Sequence, residues 1–199
     1  MTDHFKDHLA RIISILFVPP SFTIILFTYF AFIYESELAG RLTLLFATFT
    51  FGFLFHIILF FYLRKKGKLA DSDASIKEER DLPYLISTLI YICGFAILVL
   101  YQINIISTAF WFCYISNTIL IMIINKNWKI SAHIMGASGP LAALCFAAGW
   151  QALLFLPIII LIGWARLHRK VHTITQVIAG GLVGFLSTYL QMYIIINFI

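Results

Sequence analysis

Residues 164–181, WARLHRKVHTITQVIAGG, set Arg166, His168, Arg169, Lys170 and His172 within seven positions between two apolar runs, with Gln176 one helical turn beyond His172. Two other polar segments carry residues of the same types. KEERDLP, 77–83, closes a charged linker that begins at Arg64 and contains DSD; NKNWKISAHIMGASG, 125–139, puts Ser131 and His133 at the mouth of an apolar run. Arginine presents a planar fork that matches phosphate oxygens. His133 and His172 both fall at the first turn of an apolar helix, where unpaired N–H groups and the helix dipole favour a bound anion. Two imidazoles at such a site are what phosphoryl transfer through histidine requires, one as nucleophile and one as proton donor.

The elements that must position these residues are membrane helices. Of 199 residues, 61% are hydrophobic and 12% charged, about half the roughly 25% charge of a water-soluble domain. Uncharged stretches cover residues 12–34, 42–63, 83–101, 105–124, 130–149, 150–165 and 173–199, most of them near the roughly 20 residues needed to cross the hydrocarbon core. The fold expected is an all-α polytopic membrane bundle of six to seven transmembrane helices in a single integral domain. Residues 1–63 supply two N-terminal helices, 64–82 a cytoplasmic linker and 83–199 the helix core. The run at 150–165 is the weakest, being short and containing Pro157, and a re-entrant segment is the alternative. Pro19 and Pro20 are expected to kink the first helix, which is too long for a signal-peptide core and has no small-residue cleavage site. Cys93, Cys113 and Cys145 lie in apolar runs without paired spacing, so they read as packing residues and not as disulfides or a zinc site.

If seven runs alternate in direction, the N-terminus and segments 64–82, 125–131 and 166–172 share one face. That face holds 13 of the 14 Lys and Arg residues, with Arg41 opposite. The positive-inside rule makes it cytoplasmic. Two helices separate each polar segment from the next, so all three can meet there. Basic loops are ordinary topology signals, and His168, Arg169 and Lys170 are assigned to headgroups or topology.

The order and spacing of these residues resemble the type 2 phosphatidate phosphatase superfamily, the lipid phosphate phosphatases related to vanadium haloperoxidases, whose motifs are KxxxxxxRP, PSGH and SRxxxxxHxxxD. The third motif matches as Arg166, five residues, His172, three residues, Gln176; the second as ISAH, with Ser131, His133 and Gly136 after it; the first as Arg80, with Pro83 displaced by two. The resemblance covers residues 77–184. It implies a metal-free, cofactor-free hydrolysis of a membrane lipid phosphate or isoprenyl diphosphate. His172 would attack phosphorus, His133 would protonate the leaving group, and Arg80, Ser131, Arg166 and nearby N–H groups would hold the equatorial oxygens. Lys129 is added to that set from its position. The partners implied are the lipid substrate and the bilayer, with no nucleic acid; oligomeric state stays open.

The departures have chemical meaning. The leading lysine of the first motif falls on Asp73, leaving Lys77, one turn on, or Lys129 to substitute. Ala165 replaces a serine. Gln176 replaces the orienting aspartate: its carbonyl still accepts an imidazole N–H and fixes the tautomer, but it has no charge to stabilise an imidazolium, so a slower enzyme is expected. No Asp or Glu follows Asp81, so any carboxylate partner must come from the linker, as Asp81 or Glu79. Two rival readings are an inactive relative that binds anionic headgroups or a partner, and a small transporter, the latter opposed by the scarcity of charge inside the spans. His56, mid-membrane, reads as a hydrogen-bonded packing residue, and Gly180, Gly181 and Gly184, like ASG at 137–139, as a face for close helix contact.

Overall fold

A computed structural model describes residues 3–70 and 76–198. Among them every regular element is helical. Helix α1, Asp3–Leu16, ends where Val18 adopts extended backbone (φ −72°, ψ 152°), as a residue preceding proline is driven to do, and Pro19 opens α2, Pro19–Tyr34, where its missing N–H costs nothing. The two helices meet at 51°, so the expected kink is a break immediately before the proline pair.

Helices α3, Leu38–Ala47, and α4, Phe55–Lys65, are joined through a π-helical turn, Thr48–Leu54, into one 28-residue span. A short 3-10 turn, Lys77–Glu79, leads into α5, Asp81–Leu100. Helix α6, Ile105–Asn127, is capped by the Asn104 side chain, which accepts from Ile106 N–H at 2.9 Å. Then follow α7, Ala132–Ala148, a 3-10 turn at Trp150–Phe155, α8, Leu156–His168, and α9, Ile174–Phe198.

Five helical stretches are long and apolar enough to cross a membrane, or six if the bent α1–α2 pair is one span. The expected seventh is a shorter element that still joins the two ends of the bundle, and it is not the segment under suspicion. Trp150–His168 runs 19 residues, because Pro157 sits at the start of α8, where no intrahelical N–H bond is needed. The short helix is α7, whose 17 residues span ~25 Å at ~1.5 Å per residue. It lies at the centre, with Ile134, Ala137, Ser138, Gly139, Pro140 and Ala142 all buried. Large apolar side chains such as Phe32, Leu154, Leu182 and Leu186 face outward, as an integral membrane bundle requires.

Helices α7 and α9 approach closely because glycine permits it. A Cβ on Gly180 would lie 2.7 Å from the Ser131 carbonyl oxygen, and one on Gly184 would lie 2.4 Å from Ser138 Oγ. Gly181 has only ordinary contact with Ile134, at 3.5 Å. The small-residue face therefore rests on Gly180 and Gly184. At one end of the bundle, here the far end, Tyr34 Oη donates to the Ala147 carbonyl at 3.0 Å and Asn104 N–H donates to Glu35 Oε1 at 2.8 Å. The opposite, near end gathers the three polar segments.

Candidate functional site

Arg80 stands just before α5 with its side chain buried, and Nη1 donates to the Ile130 carbonyl at 3.1 Å. Ser131 N–H donates to the Gln176 carbonyl at 3.3 Å. Lys129 Nζ donates to the Val171 carbonyl at 2.7 Å. These bonds tie together the starts of α5, α7 and α9 and the connections before them, so the convergence expected of the three segments is present. Arg166, in the last turn of α8, is fully buried, and its Nη1 donates to Ser14 Oγ on α1 at 3.3 Å. Nothing in the sequence pointed to Ser14.

The turn that carries His172 is built by local rules. Lys170 takes a left-handed conformation (φ 55°). Val171 N–H then bonds the Arg166 carbonyl and Lys170 N–H the Leu167 carbonyl, the paired bonds of a Schellman stop. Three residues on, Thr173 opens α9. Gln176 N–H donates to Thr173 Oγ1 at 3.4 Å and Thr173 N–H donates to Gln176 Oε1 at 3.1 Å, a capping box of the T-x-x-Q type. That signature was visible in the sequence, but Gln176 was read only as the orienter of His172.

It is both. Gln176 Oε1 also lies 3.2 Å from His172 Nδ1. Because Thr173 N–H can only donate, the atom facing it must be the amide oxygen, and an amide oxygen facing His172 Nδ1 can only accept. The proton of a neutral His172 therefore sits on Nδ1 and the lone pair on Nε2. Burial first, then the charges of Arg80, Arg166 and Lys129, push the His172 pKa down to about 3, while the bond to Gln176 opposes them. The ring is neutral at physiological pH.

His133 occupies the first turn of α7 and lines a cavity together with Arg80 and Ser14. Arg80 is thus common to the surroundings of both histidines. The Ser131 side chain is fully buried, and its Oγ makes no hydrogen bond among the described residues.

Several expected contributors stand elsewhere. Lys77 Nζ donates to the Lys126 carbonyl at 3.2 Å, at the C-terminal end of α6 where carbonyls lack helical partners, and does not join the charges acting on His172. Glu79 accepts from Ala70 N–H at 2.8 Å and Asp81 is exposed, so neither takes the place of a carboxylate orienter. Asp73 lies outside the described residues. Ala165 is fully buried in an apolar cluster with Ala10, Ile13 and Ile162, and the hydroxyl beside Arg166 comes from Ser14 instead. His168 turns away to Asp7 on α1, at 2.7 Å, with its ring stacked on Trp164.

His56 also departs from expectation. Its ring stacks on Tyr91 with centroids 4.3 Å apart. Neither nitrogen closes a hydrogen bond among the described residues, although the Phe51 backbone is near enough to influence the ring. Of the cysteines, Cys113 and Cys145 are buried as packing residues and Cys93 is exposed on the outer surface of α5.

The cavity lined by His133 and Arg80 continues into the bundle past His56, Phe60, Tyr91 and Phe110 and has a volume of about 480 Å³. No family model, curated protein or solved structure matches this chain.

Proposed function

We propose that the chain is a membrane-embedded phosphatase acting on a lipid phosphate or isoprenyl diphosphate through a phosphohistidine intermediate. The observation that carries the reading is His172: a neutral imidazole of fixed tautomer, its Nε2 lone pair uncommitted to Gln176, set among Arg80, Arg166 and Lys129. Nε2 attacks phosphorus, the bond from phosphorus to the leaving oxygen breaks, and His133 gives that oxygen its proton. Water then attacks the phosphohistidine, its proton passes to His133, and inorganic phosphate leaves. Arg80, Arg166, Lys129 and the Ser131 hydroxyl hold the equatorial oxygens. The dianionic phosphoryl group offsets the cations that keep the free imidazole neutral, so the ring can accept positive charge once substrate is present.

The basic near end is assigned to the cytoplasmic face of the membrane on the charge distribution. Labelling of a cysteine introduced at Lys170, from either side of sealed vesicles, tests that assignment.

A second reading, an inactive relative that binds anionic headgroups, is favoured by one observation: the capping box accounts for Gln176 without any catalytic duty. Purified protein in phosphatidylcholine nanodiscs, offered a panel of lipid phosphates with orthovanadate or a chelator, separates the two. The phosphatase reading expects phosphate release that vanadate stops and the chelator spares, with acid-labile label on the wild type and none on His172→Asn. Headgroup binding without turnover establishes the second reading in its place.

A further inference from the structure

We infer that Ser14 binds the transferring phosphoryl group: its hydroxyl donates to one of the equatorial oxygens, so that helix α1 supplies a residue of the site. The inference rests on the phosphatase reading for the identity of the anion, and on hydrogen-bond direction for the choice of residue.

The seating of α1 explains how Ser14 arrives there. Asp7, Ala10 and Ser14 fall at i, i+3 and i+7, one stripe of a helix, and that stripe faces α8. Ala10 packs with Ile13, Ile162 and Ala165 in one buried cluster. Asp7 meets His168 at 2.7 Å and Ser14 meets Arg166 at 3.3 Å. Ser14 and Arg166 are both buried, so the contact is made out of water, where a hydrogen bond to a charged group counts for most.

The direction of that bond is fixed by chemistry. A guanidinium only donates, so the Ser14 oxygen accepts from Arg166 Nη1 and the hydroxyl proton is left for a third group. The usual recipient for a helical hydroxyl is a carbonyl one turn back. Other hydroxyls here use it: Thr88 donates to the Tyr84 carbonyl at 2.8 Å, Ser116 to the Phe112 carbonyl at 3.2 Å and Thr118 to the Tyr114 carbonyl at 2.6 Å. Among the described residues Ser14 makes its one hydrogen bond as an acceptor. The space it borders is the cavity shared with Arg80 and His133, and no carboxylate is among the described residues lining that space. An acceptor for the Ser14 proton therefore has to come with a ligand. Phosphoryl oxygens offer lone pairs to Arg166, Arg80 and Ser14 together, and a hydroxyl that already accepts from a cation is strengthened as a donor.

Ser14→Ala removes the hydroxyl, Ser14→Cys keeps its volume with a weak donor, and Ser14→Thr restores it; thermal unfolding in nanodiscs identifies which variants are folded. The Ala and Cys variants should lose about 10- to 100-fold in kcat/KM, the worth of one hydrogen bond to a charged group, with the loss in kcat and a matching rise in the vanadate inhibition constant. The Thr variant should return to within about threefold of wild type. A folded Ala or Cys variant with unchanged kcat and vanadate inhibition overturns the assignment and leaves the phosphatase standing. In an Arg166→Met background, Ser14→Ala should still weaken vanadate inhibition by about tenfold; no further loss would mean that Ser14 acts only by holding the guanidinium, which also overturns it. If no phosphate is released from any lipid, titration calorimetry with butylphosphonate decides the anion contact alone. Binding that Ser14→Ala weakens by about tenfold and Ser14→Thr retains supports it, and equal binding by wild type and the Ala variant, or none by wild type, overturns it.

Discussion

The two ends of the bundle use the same residue types to opposite effect. At the far end Arg41 Nε donates to the Glu35 carbonyl at 2.7 Å, and the Glu35 carboxylate accepts from Asn104 N–H. Both side chains are half-buried. Water shares in their solvation, and they fasten two connections together. At the near end Arg80 and Arg166 are buried, and with Lys129 they act on an imidazole that is itself buried. A guanidinium screened by water is a fastening, whereas one removed from water changes the chemistry of its neighbour.

Substitutions test that contrast most directly. His172→Asn should abolish phosphate release, a loss on the order of 10³-fold or more, measured as inorganic phosphate on the best lipid substrate. Arg166→Lys keeps the charge but loses the planar fork, and kcat/KM should fall on the order of 10²-fold. Gly184→Val puts a side chain where only 2.4 Å separates the Cβ position from Ser138 Oγ, and a cost of about 1–3 kcal/mol should appear as a lower melting temperature in the same nanodiscs.

Gln176→Glu is the sharpest probe. The carboxylate still accepts from Thr173 N–H and from His172 Nδ1–H, so the helix cap survives while a charge is added. Turnover should rise, by up to about tenfold, and the acid limb of the kcat/KM profile should move to higher pH. At the far end, Arg41→Ala should leave turnover unchanged and shift stability by no more than about 0.5 kcal/mol; a large loss of activity there would erase the distinction between the ends.

The pH dependence follows from His172. Its folded-state pKa is about 3, below the ~6.5 of an unfolded histidine. Between those values the unfolded chain binds the extra proton, so the His172 contribution makes stability fall as pH drops through that window. Comparing unfolding midpoints from pH 7 to pH 4 in wild type and His172→Asn should show a shallower slope in the variant.

Much of this was legible in the sequence because it depended on local or one-dimensional signals. The all-helical membrane bundle followed from apolar run lengths, the break before Pro19 from proline stereochemistry, and the meeting of three polar segments from counting helices between them. What was missed has physical reasons. The run at 130–149 had the length of a span, but Trp128–Ser131 forms the connection before α7 and the described helix stops at Ala148, so its rich supply of Gly, Ala and Ser marked a tightly surrounded central helix. Lys77 was assigned by helical spacing, yet it serves the exposed end of α6. Ser14 reaches Arg166 only because α1 folds back against α8, a tertiary fact with no local signature. The cavity is likewise a property of several helices at once.

The π-helical turn at Thr48–Leu54 also has a consequence for register. One residue corresponds to about 100° of rotation around a helix, and a π-turn is what remains when a single extra residue is accommodated without breaking the rod. Deleting one residue from that turn would turn the whole of α4 by about a quarter of a circle, carrying His56 off Tyr91 and swinging Phe60 and Arg64 to new bearings. The shape of the internal space is therefore controlled by the count of residues in a stretch that contributes none of its named walls.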